Sequence, residues 1–77
     1  MQRYTTQVEI SFGKLQEWRA IVPDEGASVT VETWSGAGWV GIQNSPLTAP
    51  GQLYTSFMRY RFTPADGGFA IDEDNAS

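Results

Sequence analysis

The chain has 77 residues, with five Lys or Arg against nine Asp or Glu, a net charge of −4, and neither His nor Cys. A chain of this length makes one domain that buries only about 60% of its unfolded surface, so its core is thin. The composition excludes disulfides and thiolate metal clusters, removes the commonest general base, and argues against nucleic acid, because so few cations cannot neutralise a phosphate backbone.

From Tyr4 to Phe12 the residues alternate, with Tyr4, Thr6, Val8, Ile10 and Phe12 on one side and Thr5, Gln7, Glu9 and Ser11 on the other. Period-two alternation of this kind predicts a half-buried strand. Gly13-Lys14 turns the chain, and Leu15 to Val22 predicts a second strand with Trp18, Ala20 and Val22 inward and Glu17, Arg19 and Ile21 outward; a helical turn over Leu15 to Arg19 is the alternative. Pro23-Asp24-Glu25-Gly26 reads as a turn, since Pro presets φ and Gly supplies the reversal. Ala27 to Trp34 and Trp39 to Gln43 then form a hairpin around Ser35-Gly36-Ala37-Gly38. Its symmetric loop sets Val31 opposite Ile42 and Thr33 opposite Val40 on the core side, with Trp34 facing Trp39 outside.

Asn44 to Gln52 holds two prolines and a glycine without periodicity and reads as a crossing loop. Leu53 to Asp74 reads as a second hairpin closed by Ala65-Asp66-Gly67-Gly68, because an Asp-Gly step suits a tight primed turn. In that register Phe62 lies opposite Ile71 and Pro64 opposite Phe69, while Arg61 meets Asp72 and Arg59 meets Asp74. The whole is all-β: a small antiparallel β-sandwich or barrel of about six strands, a single domain over 1–77 with 1–3 and 75–77 flexible. The expected core is Val8, Ile10, Phe12, Trp18, Val29, Val31, Val40, Ile42, Tyr60, Phe62, Phe69 and Ile71. With no bilayer-length apolar run, and no signal-peptide segment over Met1 to Thr6, a soluble, cytosol-made protein is expected, with no membrane partner.

Catalytic residues are not indicated, and an enzyme is not expected: a carboxylate pair would need a cleft that a two-layer domain scarcely offers. The acidic run Asp72-Glu73-Asp74 reads as partners for arginine and a solvated terminus in preference to a metal site, so no metal or cofactor is assigned. Gly36, Gly38 and Gly41 lack the helix and Lys of a phosphate loop. The sharper signal is aromatic. Trp34 and Trp39 share an outer face, Tyr54 adjoins them from the nearby loop, and Phe57 falls among Arg59 and Arg61 where a polar side chain is expected; these four are the partner-binding candidates. A cross-strand Trp pair that merely stiffens its hairpin is the structural alternative.

Over Val29 to Asp72 the sequence resembles small virion structural proteins of tailed bacteriophages. The likeness rests on the Trp-bearing hairpin, Ser45-Pro46-Leu47-Thr48, and Arg61-Phe62-Thr63-Pro64 turning through Gly67-Gly68-Phe69. The resemblance implies a β-sandwich at the capsid surface or in the tail, and foremost a head-decoration (cement) protein that binds the major capsid protein or other virion proteins. It implies a symmetric homo-oligomer, a trimer favoured, and assigns no site residues. Exposure adds Gln2 to Tyr4 to the expected contacts. The competing expectations are a carbohydrate-binding module of a tail or fibre, with Trp34, Trp39 and Tyr54 as its stacking platform, and a small acidic inhibitor of a host enzyme.

Overall fold

A computed structural model describes residues 1–12, 16–42, 45–56 and 58–72. The chain folds as a small β-sandwich of two four-stranded antiparallel sheets. Its strands are β1 (Gln2–Tyr4), β2 (Val8–Ser11), β3 (Gln16–Pro23), β4 (Ser28–Trp34), β5 (Trp39–Gly41), β6 (Gly51–Ser56), β7 (Arg59–Ala65) and β8 (Phe69–Ile71). The first sheet runs β1-β8-β3-β6 and the second β2-β7-β4-β5. Among these strands only β4 and β5 are consecutive partners in one sheet; every other connection carries the chain across the sandwich.

This crossing habit accounts for the difference between the eight strands of the described residues and the six expected. Tyr4 to Phe12 divides at residues 5–7, because Tyr4 packs on Phe69 in the first sheet while Val8 and Ile10 pair with Phe62 and Tyr60 in the second. The alternation continues through the crossing, so pattern alone reads it as one strand. Gln2 and Arg3, expected to be flexible, stand in β1. The segment from Leu53 divides likewise, into β6 and β7.

The hairpin expected around Ala65 to Gly68 is a corner between sheets. β7 pairs with β2 and β4, and β8 with β1 and β3, so Phe62 opposes Val8 and Val31, and Ile71 opposes Gln2 and Ile21. Asp66 and Gly67 do take positive φ, 62° and 142°, but they aim the chain across the core. Gly68 is required for a different reason: a Cβ there would lie 2.5 Å from the Tyr4 carbonyl oxygen. The corner is tied to the β3–β4 turn, where the Asp24 amide donates to the Gly68 carbonyl at 2.9 Å and the Gly68 amide donates to Asp24 Oδ2 at 2.8 Å.

The β4–β5 hairpin takes the expected register, with Trp34 opposite Trp39, Thr33 opposite Val40, and the Ile42 amide donating to the Val31 carbonyl at 3.1 Å. Past β5 the chain leaves β4 and returns at Leu47, which exchanges two backbone hydrogen bonds with Val29 at 2.8 and 2.9 Å. Ser45 Oγ fills the gap by accepting from the Val31 amide at 2.8 Å.

Phe12, Ile21, Val29, Val31, Leu53, Tyr60, Phe62, Phe69 and Ile71 form the buried cluster. Of the expected core, Val8, Ile10 and Ile42 are partly buried against this cluster, and two residues are exposed instead: Trp18 is 60% exposed and Val40 52%. In β3 the faces are reversed from the reading above, with Arg19 and Ile21 inward and Trp18 and Val22 outward. The reversal is possible because Arg19 is fully accommodated. Its Nε donates to Thr55 Oγ1 at 2.7 Å, Nη1 donates to the Asp72 carbonyl at 3.0 Å, and the guanidinium carbon stands 3.8 Å from the Phe12 ring centre. A buried cation is tolerated only with such partners.

Candidate functional site

Two aromatic pairs stand on the outer faces of the sandwich, one on each sheet. On the second sheet, antiparallel register puts Trp34 across from Trp39, with ring centres 5.3 Å apart and edge to face at 66°. Both rings are half-buried, because the next strand presents its arginines over them. The Arg61 guanidinium lies 4.5 Å from the Trp39 ring centre, and Arg59 lies 5.2 Å from that of Trp34. Arg61 is anchored by Glu32, its Nε donating to Oε1 at 2.9 Å, and Arg59 approaches Glu9 at 3.8 Å.

Arg61 therefore pairs with Glu32 in place of the expected Asp72, and Arg59 neighbours Glu9; the expected Arg59–Asp74 pair falls on Asp74, which lies outside the described residues. Each partner follows from the ladder, since β7 sits between β2 and β4 and aligns Arg61 with both Glu9 and Glu32. The result is a charge-balanced plate with aromatic rings clasped by guanidinium, an arrangement worth about 0.5–1 kcal/mol per cation–π contact at an exposed site.

On the first sheet, Trp18 of β3 stands opposite Tyr54 of β6, with ring centres 4.8 Å apart. This pair is open to solvent, Tyr54 being 47% exposed beside the more exposed Trp18. It borders a cleft of about 270 Å³ lined by residues of both sheets, among them Ile42, Leu47, Leu53 and Tyr60 with Thr33 and Gln52. The cleft is mostly apolar, with an amide and hydroxyls as its polar groups. Tyr60 is held in place at its hydroxyl, which accepts from the Ser56 amide at 3.2 Å.

The sequence-derived candidates thus separate. Trp34 and Trp39 lie together but clasped; Tyr54 belongs to a strand of the other sheet, with Trp18 as its neighbour; Phe57 lies outside the described residues. Trp18 was missed because hydropathy turns Arg19 to water and Trp18 to the core, and no spacing rule marks a buried arginine. Among the described residues no three acidic groups converge as a metal site would require, and Glu73 and Asp74 of the acidic run lie outside them.

A second polar cluster fixes the scaffold. Arg3 Nη1 and Nη2 donate to Asp24 Oδ1 and Oδ2 at 2.5 and 2.6 Å, a bidentate pair. The Arg3 guanidinium, with the Gly68 amide second, lowers the Asp24 carboxyl to about 2. Asp24 in turn holds the Arg3 guanidinium above its ordinary value.

Comparison with known proteins finds no match among family models, curated proteins or solved structures.

Proposed function

We propose that this chain is a structural protein of a tailed-bacteriophage virion, a head-decoration protein that binds the capsid lattice and reinforces it. It is a binding protein and not an enzyme, with the major capsid protein or another virion protein as partner and a homo-oligomer as its working form. The observation that carries this reading is the open, solvent-facing Trp18–Tyr54 pair of the first sheet. Rigid aromatic side chains standing clear of solvated charge are the usual anchors of protein contacts. A thin two-layer domain without disulfides also gains stability from whatever lattice it docks on. Trp34 and Trp39, already clasped by arginine, serve the hairpin first and the contact second.

The test is composition of purified particles by quantitative mass spectrometry, with the chain supplied as wild type or as Trp18→Ala. The wild type is expected on the particles, and Trp18→Ala should lower bound copies by about tenfold or more, as loss of a 1.4 kcal/mol or larger anchor requires. A wild-type chain absent from particles overturns the reading.

A second reading, a carbohydrate-binding module of a tail or fibre, is favoured by the same aromatic pair bordering a cleft that also presents Thr33 and Gln52. Ring stacking plus amide and hydroxyl groups is the chemistry a sugar needs. Saturable quenching of Trp fluorescence by a polysaccharide supports it, and no response across a broad glycan panel removes it.

A further inference from the structure

Strands β1 and β6 end one sheet, and β2 and β5 end the other. Three of these edges are blunted. β1 is three residues long and carries Arg3, β2 is four residues with Glu9, and β5 is three residues ending at Gly41. Short or charged strands are the means by which natural sheets avoid pairing edge to edge. β6 has neither protection: it runs six residues, GQLYTS, without a charge or a proline. The side chains lining the cleft beside it are uncharged as well, in a chain whose net charge is −4, and the Arg19 guanidinium that donates to Thr55 is buried inside the sandwich.

We propose that β6 pairs antiparallel with β6 of a second copy of this chain about a two-fold axis. A two-fold contact brings each residue against its own neighbours, so a charged edge repels itself, and an acidic protein self-associates most readily through its neutral surface. β6 is the long edge that meets this condition. Pairing joins the two first sheets into one continuous sheet and sets the two clefts side by side, drawing Leu53, Ile42 and Leu47 further from water. The contact is two-fold, in place of the trimer that the resemblance favours, and it stands whether or not the chain belongs to a virion.

The test is mass by light scattering after size exclusion, from micromolar to millimolar protein, on the full chain, on Gln52→Lys and on Gln52→Thr. Gln52 is exposed at the edge, so the lysine adds one charge per copy to the contact without entering the core. The parent and Gln52→Thr should rise with concentration to twice the 8.5 kDa chain mass, and Gln52→Lys should stay at the single mass. Amide hydrogen exchange over residues 51–56 of the parent should slow as the dimer forms. A parent that stays monomeric overturns the proposal. So does a dimer whose β6 amides exchange as fast as in the monomer, and that measurement decides even if Gln52→Lys fails to fold. Particle binding, read separately with Trp18→Ala, fails or succeeds independently.

Discussion

Asp24 ties three segments through one carboxylate: Arg3 of β1 on both oxygens, and the Gly68 amide of the corner. Its carboxyl falls from the ordinary 3.8 to about 2 on folding. A group whose pKa is depressed in the folded state adds stability that is complete above its unfolded value and lost as pH falls through its folded one, so the window here is about pH 4 down to about pH 2. Asp24→Asn should lower stability at neutral pH and flatten the acid dependence across that window; equal slopes for variant and parent in urea titrations at stepped pH would remove Asp24 as the cause. Arg19 is the other residue of high consequence. Arg19→Leu strips two charge-assisted bonds, from Thr55 Oγ1 and the Asp72 carbonyl, each worth about 1.5–3 kcal/mol; burial of the leucine offsets part of this, and unfolding free energy should drop by about 2–3 kcal/mol. An unchanged urea midpoint would show that its burial is incidental.

At the scale of elements, the corner at 65–68 replaces a hairpin, and its second glycine is demanded by the neighbouring N-terminal strand. Gly68→Ala places a methyl 2.5 Å from the Tyr4 carbonyl oxygen and 3.1 Å from Thr5 Cγ2, so β1 must shift. Overpacking of this kind costs about 1–3 kcal/mol, to be read from thermal or urea unfolding. The same change at Gly38, which has nothing within 4 Å, serves as the mild control.

These elements also mark how far the sequence could be read. The β4–β5 hairpin was legible because a four-residue loop fixes register locally, and Ser35 closes it by accepting from the Gly38 amide and donating to the Gly38 carbonyl. The 65–68 turn was misread because Asp-Gly-Gly signals positive φ, and positive φ serves a corner as well as a hairpin. Ladder partners reinforced the error: Arg61 suits Asp72 as well as Glu32, and only long-range pairing chooses. The faces of β3 were inverted because Arg19 is buried by groups from β6 and the residue after β8, distant in sequence. The candidate site inherited that inversion, so Tyr54 was legible and its neighbour Trp18 was not.

For the whole molecule, the outer surface divides by chemistry. The second sheet shows a clasped, charge-balanced plate of Glu9, Arg59, Arg61, Glu32 and two tryptophans, while the first shows open aromatic rings beside a cleft and an unprotected edge. The assembly reading therefore places the contact on the first sheet. Oxidative footprinting of the protein, free and bound to particles, tests that placement directly. Trp18 and Tyr54 should be reactive in the free monomer and protected on the particle, with Trp34 and Trp39 changing little. Trp18 that stays equally reactive in both states, with Trp34 and Trp39 protected instead, would contradict the account.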